Sequence, residues 1–385
     1  MRLGIGMNVY DAAVKRLAEL YEDGHRIVVC MSGGKDSGAC LNLAIEAASM
    51  ADRLPVEAVY REEEILYPGT REFVMRCHDR PEVDLHWLVA GQPMINLFSR
   101  RQPYWWICDD RLTPDQWVTQ PPEYAEWIPQ KHIEGIVSPD RFPPDEGKAL
   151  IAVIRLRVSE STNRRMGLAS SGGHLTGLEK RGGVPYRTVR PIYDWTDKDI
   201  WTAHRINKWD YNEAYDLLYK AGMPLKEMRI GPVTMNTAGI GALAFAASAW
   251  PRWFDRVCKR CPGVMQARHF GATLLKPDRY SHETWKDCYQ RVCIDTAPDW
   301  IAERAAHVAA KAIEMVGRKG VKELPDVAGT NDLGAGNLLS WYKLAHVMFS
   351  GDPFALKTQQ FGLKPIEPEF FREGAGTWGG GTPTW

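Results

Sequence analysis

Apolar and polar positions over the first ninety residues follow two alternating periods. From Val9 to Glu22 the apolar residues recur every three to four positions. Asn8 is placed to cap that stretch and Gly24 to end it, which predicts an amphipathic helix. Ile27–Met31 is a short continuous apolar run leading into glycines and reads as a buried strand. An Ala/Leu-rich helix is predicted from about Asp36–Ser37 to Met50. Pro55 then opens a second strand, Val56 to Tyr60, followed by a helical stretch from Thr70 to Cys77 and a third strand from Val83 to Val89. Strands and helices alternating at this spacing predict an α/β fold: a doubly wound parallel sheet covered on both faces, whose ligands bind outside the carboxyl ends of the strands.

The rhythm breaks between Gly91 and Gly147. This stretch is dense in Pro and Trp, including Tyr104-Trp105-Trp106, Trp117 and Trp127, and reads as an irregular insertion held by aromatic packing and covering the site. Ala149 to Arg157 reads as a further strand, with a helix from Ser161. Asp197 to Ala221 and, beyond a Gly-rich bend, Ala246 to Arg318 read as mainly helical. The expected organisation is a nucleotide-binding domain over 1–235, a mainly helical region over 236–365 and a flexible tail over 366–385, whose Gly/Thr-rich end from Gly374 has the composition of disorder.

The junction after the first strand carries the sharpest chemistry: Met31-Ser32-Gly33-Gly34-Lys35-Asp36-Ser37. Two glycines let the backbone approach an anion closely, and the first N–H groups of the following helix lack intrahelical partners. Ser32 and Ser37 add hydroxyl donors, Lys35 a cation, and Asp36 a group that can orient the loop or hold Mg²⁺. The GxxxxGK[ST] and GxGxxG spacings are both absent. Ser-Gly-Gly-x-Asp-Ser instead resembles the PP-loop of the ATP pyrophosphatase superfamily. That resemblance implies an adenine nucleotide alpha hydrolase-like fold and a loop that grips ATP while a substrate oxygen attacks the α-phosphate.

Composition narrows the setting. The 385 residues, 44% of them hydrophobic, suffice for a full core in one or two domains, and 48 basic residues balance 48 acidic ones, so no global field points to nucleic acid or a membrane surface. A local basic groove remains compatible with that balance. The start lacks the apolar segment of a secretory signal, and the most apolar run, Ala238 to Trp250, is too short for a bilayer and contains two glycines. A soluble, cytoplasmic protein with reduced thiols is expected. Among its eight cysteines, Cys258-x2-Cys261 and Cys288-x4-Cys293 offer four thiolates for Zn²⁺ or an iron–sulfur cluster, weighed against buried helix cysteines.

Two further segments bear on the loop. After the second strand come Glu62, Glu63 and Glu64, any of which suits a ribose hydroxyl, a metal or simply a solvated turn. Four arginines lie within the eleven residues from Arg155 to Arg165, with Glu160 among them. Arginine's fork suits phosphate, sulfate or carboxylate, and Arg157, Glu160 and Arg164 fall at helical spacing. Arg157-x-x-Glu160-Ser161-x-Asn163-Arg164 and then Arg190-Pro191-Ile192-Tyr193-Asp194-Trp195-Thr196-Asp197 resemble the PAPS reductase family. Tyr211-Asn212, Tyr215-Asp216 and Ser340-Trp341-Tyr342-Lys343 resemble its IbrA-like branch. By that resemblance Ser32, Gly33, Gly34, Asp36 and Ser37 hold the nucleotide phosphates, with the Lys35 cation beside them, Arg157, Glu160 and Arg164 complete the anion site, and Glu62 or Glu63 is the acidic residue after the second strand. Lys35, Asp36 and Arg157 become the catalytic candidates.

The family's sulfonucleotide reductases carry a catalytic cysteine near the C-terminus. The last cysteine here is Cys293, and the loop keeps its ATP-type form. The expected function is therefore Mg²⁺-ATP-dependent adenylation of an unidentified acceptor, in nucleic-acid, nucleotide or metabolite modification. Sulfonucleotide reduction or sulfate activation is the alternative within enzymes. The alternative outside them is an ATP-sensing regulatory subunit with a ParB-like partner, which the IbrA-like resemblance implies.

Overall fold

The computed structural model describes residues 6–130, 136–160, 166–167, 173–231, 237–327 and 339–374. They fall into two compact units. One comprises the chain to Gln92 with Ile107–Pro232 and Phe245–Trp253; the other comprises Pro93–Trp106, Val233–Ala244 and Phe254 onward. Part of the aromatic insertion, residues 93–106, thus groups with the C-terminal chain.

The first unit is built on a seven-stranded sheet. Helix α1 (Val9–Glu22) begins where the Asn8 side chain accepts the Asp11 N–H and ends at Gly24, whose φ of +74° turns the chain into β1 (Arg26–Met31). Helix α2 (Lys35–Met50), β2 (Val56–Arg61), α3 (Thr70–His78) and β3 (Val83–Val89) follow as the periodicity predicts. β4 (Gln92–Ile95) and β5 (Tyr104–Ile107) form a separate two-stranded sheet. β6 (Glu126–Trp127), β7 (Leu150–Val153), β8 (Glu179–Arg181) and β9 (Val184–Val189) complete the large sheet, in the order β6-β3-β2-β1-β7-β9-β8. Every pairing is parallel except β8 with β9.

From β1 the chain winds outward through β2, β3 and β6, then returns to the other side of β1 with β7 and β9. The order therefore reverses between β1 and β7, and in open α/β sheets ligands bind at such a switch point, outside the carboxyl ends of the strands. α2 packs on β1 with a side that is buried from Lys35 to Ala48. The opposite sheet face is covered by Ile128, Val137 and Phe142 against Val28, Val59, Leu88, Leu150 and Ala152.

Several expectations shift. The strand expected over Ala149–Arg157 ends at Val153, and the chain beyond carries two arginines to the switch point. The predicted helix over Asp197–Ala221 is two helices, Asp197–Ile206 and Ala214–Lys220, parted by a turn with Lys208 at φ +53°. The hairpin of β8 and β9, unmarked by apolar alternation, turns at Gly182-Gly183, both at positive φ.

In the second unit, Asp299–Gly317 and Trp341–Met348 pack around Tyr289, Val292, Cys293, Val308 and Leu344. Part of the expected flexible tail, Pro368–Gly374, is helical. Its Phe371 is buried against Tyr104 and Trp300, which supplies the apolar contact that composition alone did not reveal. Among the described residues no helix is long and apolar enough to cross a membrane.

Candidate functional site

The loop after β1 is held by contacts from far along the chain. Gly33 has φ +73°, and a Cβ there would lie 2.5 Å from Thr70 Cγ2. Gly34 precedes α2 as its cap without a side-chain hydrogen bond to the helix. Ser37 Oγ donates to the Gly34 carbonyl at 2.9 Å and accepts the Ser32 N–H at 3.2 Å. Arg155 Nε, from the end of β7, donates to Ser32 Oγ at 2.8 Å.

Three residues of the 197–220 segment fix the loop backbone. Asn212, fully buried, donates from Nδ2 to the Gly33 carbonyl at 2.8 Å and to Thr70 Oγ1 at 2.9 Å. Tyr215 accepts the Lys35 N–H on its hydroxyl at 3.0 Å, and His204 Nε2 donates to the Lys35 carbonyl at 3.0 Å. Burial, with the nearby Asp36 charge, holds the Tyr215 phenol well above its ordinary pKa, so its hydroxyl stays neutral while it accepts the Lys35 N–H.

Against this loop sits a cluster of charges. Lys35, Asp36 and Arg157 are all buried, Arg157 to 2% exposure. Arg157 Nε lies 2.9 Å from Asp36 Oδ1 and its NH2 lies 2.9 Å from Asp197 Oδ1 and 3.8 Å from Glu160 Oε1. Lys35 Nζ is 3.5 Å from Asp36 Oδ2 and 3.6 Å from Asp197 Oδ1. The Arg157–Asp36 contact is close but misaligned for a hydrogen bond, so Asp36 Oδ1 is without a hydrogen-bond donor. Asp197 is placed by a capping box: Thr196 Oγ1 accepts the Asp199 N–H, and the Asp199 carboxylate accepts the Thr196 N–H. Its side chain is 51% exposed. Lys35, Arg155 and Arg157 thus meet Asp36, Glu160 and Asp197, and the formal charges cancel.

The structure brings Ser32, Gly33, Gly34, Lys35, Asp36, Ser37, Arg157 and Glu160 into one cluster. Arg164 lies outside the described residues. Glu62 does not face outward. Its fully buried carboxylate accepts from Trp87 Nε1 at 3.1 Å and from the Glu64 and Glu63 N–H groups at 2.9 and 3.2 Å, an internal turn-forming role. Burial raises its pKa against the opposing pull of Arg71. Glu63 pairs with Arg61 at 2.7 Å. Glu64, at φ +52°, accepts the N–H groups of Cys108 and Val118 and so ties down the chain after β5.

The four cysteines offered by the sequence as Zn²⁺ or cluster ligands, and weighed against buried helix cysteines, are not gathered. Among the described residues no three of Cys258, Cys261, Cys288 and Cys293 have sulfurs within 4.8 Å of one another. Cys288 and Cys293 face the second unit's core and donate weakly to the carbonyls of Asp278 and Ala345. Burial pushes Cys258 up to about 11 and Cys293 up to about 12, so in the metal-free chain they are held as thiols.

Asp197, Asn212, Tyr215, His204 and the specific contact of Arg155 were not singled out as site residues from the sequence. Asp197, Asn212 and Tyr215 stood only within motifs of the family resemblance, with no role attached, and the Thr196–Asp199 capping pattern is a local signal for Asp197.

His204 makes the loop's seat pH-sensitive. Burial lowers its pKa below the ordinary value. The unfolded chain takes up this proton near pH 6.5 while the folded chain resists it, so stability is full above that pH and falls as the pH drops below it. His25 and His174 act in the same direction. The melting temperature is expected to fall between about pH 7 and 5.5, and His204→Gln, which keeps the donor to Lys35, is expected to flatten that slope. An unchanged slope would remove His204 from the account.

No protein-family model matches the chain. It is 26% identical over 394 residues to Uncharacterized protein YbdN of Escherichia coli (strain K12), covering 91% of this chain and 90% of that one. Among solved structures, Candida glabrata FMN adenylyltransferase aligns at a TM-score of 0.36 and 12% identity, over 54% of this chain and 58% of that chain. The chain thus spans somewhat more than half of that enzyme. Phosphoadenylyl-sulfate (PAPS) reductase from Candida auris, as a phosphate complex, aligns at a TM-score of 0.27 and 12% identity, over 56% of this chain and 93% of that chain.

Proposed function

We propose that this protein binds Mg²⁺-ATP on the Ser32–Ser37 loop and transfers the adenylyl group to an acceptor oxygen. The observation that carries the reading is the convergence of a positive-φ glycine turn, the amino terminus of α2, and the buried Lys35 and Arg157 at the sheet's switch point. An acceptor oxygen attacks the α-phosphorus, the bond to the bridging oxygen breaks, and pyrophosphate leaves with that oxygen.

Lys35, Arg157 and the positive end of the α2 dipole offset charge on the phosphates and on the departing pyrophosphate. Asp36 and Asp197 would hold Mg²⁺: both offer hard oxygen donors, and Asp36 Oδ1 has no hydrogen-bond donor of its own. The ion supplies charge neutralisation that a charge-balanced cluster lacks for a polyanion. Arg155 positions Ser32, while Asn212 and Tyr215 position the turn.

Sulfonucleotide reduction has less support. Burial raises the pKa of Cys30, Cys40, Cys77, Cys258, Cys288 and Cys293, which disfavours a reactive thiolate. The finer placement in an IbrA-like branch, and a ParB-like partner, rest on motif resemblance.

The test is transfer of label from α-labelled ATP to the acceptor, with unlabelled pyrophosphate release measured in parallel, in Mg²⁺ with and without sulfate, RNA, DNA and nucleotides as acceptors. One acceptor is expected to stimulate release. Ser37→Ala is expected to reduce release about tenfold or more, since it removes the bridge between Gly34 and Ser32 and so loosens the anion cradle. Tight ATP binding without release for any acceptor would overturn adenylyl transfer and favour the nucleotide-sensing reading.

A further inference from the structure

At the amino ends of β2 and β3, away from the loop, three potential metal ligands converge. Glu57 and Asp84 are cross-strand neighbours in the parallel register, and His86 follows Asp84 by two residues, so all three stand on one sheet face. One donor atom from each lies within 4.8 Å of the other two, the only such group among the described residues. Ligands at zinc distances in a tetrahedral shell are separated by roughly 3.4 Å, so closing the group takes about an ångström of side-chain movement. Asp84, 57% exposed, has room to make it.

The histidine distinguishes this cluster from ordinary surface acidity. Its Nε2 is shielded from solvent, has no hydrogen-bond partner, and lies 3.8 Å from Asp84 Oδ2. Phe142 meets the imidazole ring at 5.1 Å in an edge contact that limits its rotation. With the ring proton on Nδ1, the unpartnered Nε2 offers a lone pair on the side of the carboxylates, as a metal-ligating imidazole does. Arg26 donates its Nε to Glu57 Oε2 at 2.8 Å and a second N–H to Oε1. A carboxylate has about four acceptor positions, so Arg26 fixes Glu57 while leaving lone pairs for a metal, as an outer partner commonly does. Glu126, tied to Arg141, adds nearby negative charge.

We propose that Glu57, Asp84 and His86 form a binding site for a first-row transition-metal dication of the Zn²⁺ class. One nitrogen and two carboxylate oxygens suit such an ion, whereas Mg²⁺ and Ca²⁺ favour all-oxygen shells. Water completes the coordination. The ion ties β2 to β3 at the end of the sheet opposite the nucleotide loop, so it is distinct from the Mg²⁺ of the proposed reaction and does not depend on that reading.

Metal-free full-length protein is titrated with Co²⁺, followed by its visible spectrum, and bound Co²⁺ is then displaced with Zn²⁺. Wild type is compared with Asp84→Asn and His86→Gln, with circular dichroism to confirm folding. One equivalent is expected, with a nitrogen/oxygen-type spectrum lacking thiolate-to-cobalt charge transfer. Affinity is expected to fall at least about tenfold in each variant, and excess Mg²⁺ is expected not to compete. Absence of binding, a thiolate-type spectrum, competition by Mg²⁺, or affinity unchanged in either variant would overturn the site.

Discussion

Arg157→Met is expected to destabilise the sheet-containing unit by about 3 kcal/mol and to abolish nucleotide binding. Arg157 is 2% exposed, and Asp36 is only 9% exposed. Removing the guanidinium leaves the Asp36 carboxylate buried with Lys35 alone at 3.5 Å. A buried charge that loses its partner costs more than the intact pair contributes, because the desolvation of the survivor is no longer offset. Asp36→Asn in the same chain removes that survivor and is expected to restore about 1 kcal/mol or more, while leaving nucleotide binding absent. Urea denaturation, followed by tryptophan fluorescence, reads both. Arg157→Met within about 0.5 kcal/mol of wild type, or no recovery in the double variant, would mean that the buried ion network is not what holds this site.

Gly33→Ala is expected to cost about 2–4 kcal/mol, the sum of a left-handed backbone forced on an L-residue and an overpacked contact. The added Cβ would meet Thr70 Cγ2 at 2.5 Å and Val74 Cγ2 at 3.3 Å. Thr70 cannot swing away freely, because its hydroxyl accepts from Asn212, which also holds the Gly33 carbonyl. The strain therefore displaces the loop, and ATP affinity should fall with stability. Adding Thr70→Ser removes Cγ2 but keeps the hydroxyl, so the steric part should return while the backbone part remains. Gly34→Ala is the control: its φ of −91° suits any residue, and its Cβ would meet the Tyr215 hydroxyl at 3.3 Å and Ser32 Oγ at 3.6 Å, with no backbone atom in the way. Equal losses for the two glycines, or no rescue by Thr70→Ser, would sink this account.

Much of the first unit was legible because its signals are short-ranged. Asn8 and Gly24 bound α1 through contacts within four residues, and the apolar run of β1 reflects a strand largely buried on both faces, as do the carboxyl-terminal halves of β2 and β3. The β8–β9 hairpin was not legible. Glu179–Arg181 is exposed and lacks alternation, and only Gly182-Gly183 hints at the turn. Arg155 and Arg157 were readable as anion-binding arginines. Their division of labour, one on Ser32 and one on Asp36, follows from β7 lying beside β1.

The sequence by itself determined the chemistry on offer at the loop: glycines that permit a positive φ, hydroxyls, a lysine and an aspartate at the start of a helix. Those properties depend on residue type and on neighbours a few positions away. Only the tertiary structure decided who partners whom. Asp197 reaches Lys35 and Arg157, Asn212 braces Gly33 and Thr70, and Glu62 turns inward to Trp87 rather than outward to a ligand. Charge pairing and hydrogen bonding act through space over a few ångströms, and strand order and register, rather than distance along the chain, set those separations.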